Sequence, residues 1–224
     1  MDEKNLNIDK LIISDRKTIS IEINNKGNLI VRAPKYASKD RILNFVYSKY
    51  NWIKDKQKIA LEKNKEKNQF YENKILFCGR KIDIISQKGI DNVLIFNDNK
   101  LIINEDYIGQ SKQIIKYWLK KNAKAYLKYR TEKLATKYNF TFNKLKISNA
   151  IHKWGSCNSK KNIALNWRLI MADKNLSDYV IIHELAHTKE LNHSKKFWSI
   201  VGNIIPNYKQ IKNELRNISH LLDY

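Results

Sequence analysis

His183-Glu184-Leu185-Ala186-His187, followed six residues later by His193, is the stretch of this chain whose residue types and spacing could do chemistry. On a helix, positions 183 and 187 lie one turn apart, so both imidazoles leave the same face and can hold one metal ion. Neutral imidazole suits Zn2+, and two histidines bracketing an adjacent glutamate on a helix form a recurrent zinc-hydrolase pattern. Glu184 is placed to take a proton from a metal-bound water. His193 supplies a third ligand and leaves the fourth coordination position open to that water, the arrangement of a catalytic site. The implied chemistry is zinc-dependent hydrolysis, with the peptide bond as first candidate.

Three of the five histidines fall between positions 183 and 193, and the run before them, Tyr179-Val180-Ile181-Ile182, is apolar. Histidines on a buried helix need partners for their ring nitrogens, and a metal is one. Glu214 on a later helix and Glu190, one turn past His187, compete with His193 as third ligand. His193 is favoured as the commoner nitrogen donor, and because Asn192 tolerates the left-handed backbone that a turn out of a helix uses. Asp173 or Asp178 is a candidate to orient a ligand imidazole through its far nitrogen. The oxyanion-stabilising group stays open among His152, Tyr179, Tyr208 and His220.

Trp154-Gly155-Ser156-Cys157 is the second candidate segment. A strand edge here can pair with an extended substrate backbone, with Gly155 permitting close approach. The plainer alternative is a tight turn packed by Trp154, with Cys157 a small buried apolar residue or a fourth zinc ligand that closes the site.

The elements that position these residues read as an α+β chain. Thr18–Pro34 forms a hairpin turning at Asn24–Gly27, and a helix starting at Ser38 runs to about Lys67, with Ile42, Phe45, Val46, Trp52, Ile53 and Ile59 inward. Short strands follow at Ile75–Cys78, Lys81–Ile85, Val93–Phe96 and Lys100–Ile103. A helix over Ser111–Tyr138 carries Ile115, Trp118, Leu119, Ala125, Tyr126 and Tyr129 as a core stripe. Strands at Leu145–Ala150 and Asn162–Leu169 flank the Gly155–Ser159 bend. The motif helix is capped by Ser177 or Asp178, Ser194 caps the next helix, and Pro206 separates it from the last. No repeat is evident. The division is set near residue 108, between a strand-rich region with one long helix (1–108) and a catalytic region (109–224); one continuous domain is the alternative.

The net charge of +21 comes from 43 Lys and Arg against 22 Asp and Glu, and only seven of the cations are arginine. A chain rich in Lys, Asn and Ile and poor in Arg, Gly and Pro is what an AT-rich coding sequence produces. The functional alternative is a nucleic-acid footprint, and Lys112, Lys116, Lys120, Lys124 and Lys128 recur every four residues as one basic face. A solvated face is the plainer reading of that row. The start MDEKNLNIDK is not a signal peptide, no run spans a membrane, and two distant cysteines suit a reducing compartment, so a cytoplasmic protein is expected.

Trp154-Gly155-Ser156-Cys157, Asn166-Trp167-Arg168-Leu169-Ile170, the His183–His187 motif, and Asn192-His193-Ser194 with Phe197-Trp198 together resemble the YgjP-like family of bacterial metallopeptidases. That family is grouped with the zincins and related to the SprT and WLM proteases. The resemblance implies a zincin-like fold, His183, His187 and His193 as zinc ligands, and Glu184 as general base. It departs from the family at Asp173, where members often have proline, and at Thr188, where they have an aliphatic residue. A metzincin is excluded: it needs glycine at position 190 and a methionine turn after the third histidine, and Met1 and Met171 both precede His193. Two readings compete with a zinc peptidase acting on peptides or proteins: a nucleic-acid-associated zinc protease acting on DNA-bound proteins, and a non-catalytic, zinc-stabilised binding module.

Overall fold

A computed structural model describes residues 6–222 and 224, and the chain divides into two units, 1–70 and 71–224. The boundary expected near residue 108 therefore falls inside the second unit.

In the first unit, β1 (Lys10–Ser14), β2 (Ser20–Ile23) and β3 (Leu29–Pro34) form a sheet in the order β1-β3-β2. The β2–β3 hairpin is the expected one, closed by Gly27 donating to Asn24 O with Gly27 at φ +83°. Strand β1, which sequence reading missed, pairs parallel to β3. Helix α1 (Lys39–Ser48) starts where Ser38 Oγ accepts from the Arg41 amide. The single long helix expected here is interrupted at Lys49, and α2 (Tyr50–Phe70) resumes. Ile42, Val46 and Ile53 join Leu29, Val31 and Ala33 in the core. Trp52 and Ile59 instead stay exposed, because the second helix buries only Ile53.

The second unit opens with β4 (Lys74–Phe77), β5 (Arg80–Gln87), β6 (Leu94–Asn97) and β7 (Lys100–Asn104), all expected, in the order β4-β5-β7-β6. Two tight hairpins join them. Cys78-Gly79 and Asp98-Asn99 each place both residues at positive φ, the backbone of a turn whose twist matches its strands. Helix α3 (Ser111–Lys137) follows, then β8 (Lys144–Ser148), β9 (Gly155–Cys157) and β10 (Asn162–Asn166) in the order β8-β10-β9. Helices α4 (Lys174–Ala186), α5 (Lys195–Ile204) and α6 (Tyr208–Ile218) complete the chain. The architecture is α+β, as expected.

The three sheets share one topology although their sequences show no repeat. In each, a strand lies parallel to the third of the set, and the second pairs antiparallel to that third: β1-β3-β2, β5-β7-β6 and β8-β10-β9. The antiparallel connections differ in length and turn residues, which hides the recurrence from sequence comparison.

The core stripe of α3 is Ile115, Leu119, Ala123, Leu127, Thr131 and Leu134, a steady three-to-four residue spacing. Ala125 and Tyr129, expected inward, face out. The lysine row does not form one open face: Lys116 and Lys120 are half-buried, Lys120 lies over the Trp167 ring, and Lys128 pairs with Glu132. Trp118 meets Phe77 and Phe96 at 4.6 and 5.3 Å, which seats the β4–β7 sheet on α3.

The same sheet holds the start of α4. Cys78 and Gly79 donate to Ile170 O and Met171 O at 2.7 and 3.1 Å, and two residues on, Asp173 Oδ1 accepts from Asn175 and Leu176. Asp173 is the N-cap, so α4 begins earlier than Ser177 or Asp178 would have set it. Asp178 has another task. It accepts from Arg130 Nε and Nη2 at 2.5 and 2.6 Å, and both side chains are nearly buried, which pins α4 to α3.

Two stability predictions follow from these contacts. A Cβ on Gly79 would lie 2.5 Å from Asp173 Cβ at φ +77°, so Gly79→Ala should cost about 3 kcal/mol and lower the melting temperature measured by circular dichroism. Arg130→Met strands a buried carboxylate that only the exposed Lys174 still meets, and should cost about 3 kcal/mol. Adding Asp178→Leu should recover most of that loss; a double variant no more stable than Arg130→Met would assign the cost to packing instead.

Candidate metal centre

Helix α4 is buried along nearly its whole length, from Leu176 to Ala186, and the motif sits at its C-terminal end. His183 and His187 project one turn apart, with ring centroids 5.0 Å apart. Past the helix, Lys189 and Glu190 both donate to Ala186 O, and the chain turns back toward the helix at Ser194, whose amide donates to Asn192 O. Asn192 does not adopt the left-handed backbone expected of it. Ser194 Oγ then accepts from the Phe197 amide as the N-cap of α5, as expected.

This return places His193 beside the other two. The ligand atoms of His183, His187 and His193 all lie within 4.8 Å of one another, and among the described residues no further one belongs to this cluster. Cys157, Glu190 and Glu214 are therefore not part of it. His193 Nε2 is 3.0 Å from His183 Nε2. Phe197 backs all three rings at 4.4–4.9 Å, and Trp198 stacks on His193 with Tyr208 stacked behind it.

The chemistry of these nitrogens fits a cation. His187 Nδ1 lies 3.1 Å from Glu190 O, a carbonyl that can only accept, so this nitrogen carries the proton and Nε2 keeps its lone pair. The orienting group is thus a backbone carbonyl, while Asp173 and Asp178, the expected candidates, are occupied as helix cap and ion-pair partner. Burial, reinforced by the neighbouring imidazoles, pushes His183 down to about 3, and His193 is lowered for the same first reason. Both rings are neutral at pH 7, the form that binds metal. His183 Nδ1 is buried with no hydrogen-bond partner, so its ring has only Nε2 with which to satisfy a polar contact. Two neutral rings with facing Nε2 atoms and a third close by make a site whose lone pairs a divalent ion would satisfy.

Glu184 is 5% exposed, and burial raises its carboxyl to about 7 against the lowering effect of Lys153. It lies against β9. A Cβ at Gly155 would come within 2.5 Å of Glu184 Oε1 and 2.6 Å of its Cγ. Gly155 therefore makes room for the acid beside the three imidazoles, a reason for glycine that the substrate-approach reading had not supplied.

The four residues of the second candidate segment divide between two cavities. Trp154 and Gly155 line one of about 360 Å³ with Tyr179, His183 and Glu184. Ser156 and Cys157 line another of about 530 Å³ with Lys144, Lys146 and Lys153. Cys157 is pushed up by burial first and by Glu184 second, so it is a thiol and not a ready ligand. Of the four oxyanion candidates, only Tyr179 lines the cavity of Glu184, and burial raises it to about 12, so it keeps its O–H. Lys212 and Arg216, on the far wall of that cavity, were not singled out from sequence; their i, i+4 spacing around Leu215 was the available signal.

Among solved structures, the zymogen of Pyrococcus abyssi abylysin, a metallopeptidase, shares 22% identity with this chain over 41% of it and 92% of that chain, with a TM-score of 0.38. The metallopeptidase zymogen of Methanocaldococcus jannaschii jannalysin shares 23% identity over 41% of this chain and 94% of its own, with a TM-score of 0.36. No curated protein gives a significant match. The description "YgjP-like, metallopeptidase domain" matches residues 17–218, which takes in both sheets of the second unit, the three histidines and Glu184. With nearly its whole length matched, the chain belongs to the YgjP-like metallopeptidase family.

Proposed function

We propose that this metallopeptidase is zinc-dependent and hydrolyses peptide bonds with Glu184 as general base. The observation that carries the reading is the convergence of three imidazoles next to a buried carboxyl group, with His183 and Glu184 lining one cavity. His183, His187 and His193 would hold the ion, and three protein ligands leave a coordination position open, as a catalytic site needs. Cys157, Glu190 and Glu214, the residues that could have closed the site into a structural one, lie outside the cluster.

When bound, zinc supplies Lewis acidity, which polarises a peptide carbonyl and acidifies water. Glu184 accepts the proton of the attacking water at its carboxylate and hands it to the leaving amine. Its position is set on two sides, by α4 from which it projects and by the Gly155 backbone against which it lies. The apolar surroundings exclude bulk water from the carboxylate, which keeps its proton for the reacting groups. Tyr179, with its O–H retained, is the cavity group best placed to donate to a developing oxyanion.

Glu184→Gln separates catalysis from metal binding. Zinc measured by mass spectrometry should stay near one ion per chain, while cleavage of a peptide library should fall by about 10²–10⁴-fold. Full zinc with undiminished proteolysis would falsify Glu184 as the base. Gly155→Ala tests the positioning: the added methyl displaces the carboxylate, so zinc should remain and kcat drop by on the order of 10²-fold. Wild-type turnover in that variant would show that the carboxylate position is not what limits the reaction.

A further inference from the structure

The cavity beside Glu184 has two unlike walls. One carries His183 and Glu184; the other is α6, with Lys212, Leu215 and Arg216. Lys212 and Arg216 are one helical turn apart, so their side chains leave the same face of α6. Neither forms an ion pair with a carboxylate among the described residues: Arg216 Nη2 donates to Asn213 Oδ1 at 3.0 Å, and Lys212 Nζ lies 5.3 Å from the Trp198 ring. Helix α6 does carry an acid, Glu214, but that residue lines a different cavity together with Asp173 and Asp178. Of the three cations of α6, Lys212 and Arg216 thus lie on the cavity beside His183 and Glu184, while Lys209 is exposed elsewhere and the acid lines the other cavity.

Such an arrangement costs stability, because like charges one turn apart repel. Composition does not explain it fully either. Lysine is abundant throughout this chain, but only seven arginines occur, and two of the others, Arg32 and Arg130, are spent on ion pairs with Glu22 and Asp178. Arg216 is the arginine that faces the reaction cavity, and a guanidinium fork matches a carboxylate in bidentate fashion. Apart from these charged groups and His183, the lining is mostly apolar, with Trp154, Val180 and Leu215, and carries hydroxyls only at Tyr179 and Ser219.

We propose that this cavity is a specificity pocket for a substrate carboxylate, with Arg216 and Lys212 as the residues that recognise it. The carboxylate is either an acidic side chain close to the scissile bond or the free C-terminus of a short peptide. This inference rests on the peptidase reading for the meaning of the site, and its test separates the two.

Both cations are exposed, so replacing them leaves the packing of α6 on Ile211 and Leu215 intact. The probes are matched short peptides in three forms: glutamate with an amidated C-terminus, glutamine with an amidated C-terminus, and glutamine with a free C-terminus. Binding to full-length, zinc-loaded Glu184→Gln protein is read by tryptophan fluorescence, since Trp154 lines the cavity. One or both carboxylate-bearing peptides should bind about tenfold or more tightly than the neutral one, and which of them does so identifies the source of the carboxylate. Adding Arg216→Met and Lys212→Met together should abolish the preference, and Arg216→Glu should turn it toward a lysine peptide. Equal binding of all three peptides, or a preference that survives the double methionine variant, overturns the pocket. Turnover of the same peptides by the unsubstituted enzyme reads the other claim: cleavage without charge preference defeats the pocket alone, whereas charge-selective binding with no cleavage of any peptide defeats the peptidase reading and leaves the pocket standing.

Discussion

The close approach of Glu184 to the backbone of Gly155 is the constraint on which the centre depends. A carboxylate that is only 5% exposed can stay beside three imidazoles only if the opposite wall has no side chain to meet it. Strand β9 is three residues long and lies at the edge of its sheet, paired to β10 alone. That short strand has to be held at the right height over α4, and most of the second unit contributes to doing so. The neighbouring segment shows how: Asn166 donates from its side chain to Ala150 O and Lys153 O and from its backbone to Trp154 O, tying down the loop that leads into β9.

Helix α4 is held with comparable care. Its start is capped by Asp173, which is itself pressed against Gly79; its middle is pinned to α3 by Arg130 and Asp178; its exit is closed by the Ala186 carbonyl and by Glu190 O on His187. Phe197 fills the space behind the rings. Each contact removes a freedom that a metal site cannot tolerate, since ligand orientation depends on partners beyond the ligands. The apolar length of α4 provides the burial, and the polar contacts at its ends fix its rotation.

The local parts of this arrangement were legible in the sequence. The motif spacing located both helix-borne histidines, Ser194 announced α5, and short apolar runs marked eight of the ten strands, leaving β1 unseen and β9 open between a strand edge and a turn. What was not legible depends on contacts between residues far apart in the chain. The unit boundary at residue 70 follows from amides at 78 and 79 meeting carbonyls at 170 and 171, and no local pattern reports such a pairing. The cap of α4 was misplaced because Asp173, Ser177 and Asp178 are all good capping types; burial of Ser177 and the ion pair of Asp178 decide among them. Asp173 and Asp178 looked suited to orient a histidine, but a backbone carbonyl does it, and carbonyls have no sequence signature. The parallel pairings of β1 with β3 and β8 with β10 were invisible for a similar reason: each joins strands separated by a third.

Charge illustrates the same limit from the other direction. A surplus of +21 spread over the sequence carries little information, because an AT-rich coding bias produces lysine without selecting its position. The lysine row of α3 looked organised at a spacing of four, yet in the fold two of its members are half-buried, one of them over the Trp167 ring, and a third is paired to a glutamate. A cation becomes informative when it lines a cavity and the fold places no carboxylate in an ion pair with it. On α3 and α4 the chain spends an arginine on a buried aspartate and gains rigidity from it. On α6 Glu214 stands two residues from Lys212 and two from Arg216, a spacing that puts it on another side of the helix, where it cannot neutralise either. The difference between these two uses of the same residue type lies in what each faces: Arg130 faces the protein's own carboxylate, and Arg216 faces the cavity where the reacting groups meet. Electrostatic selection of substrate therefore belongs to α6, and the rest of the basic surface is free to follow composition.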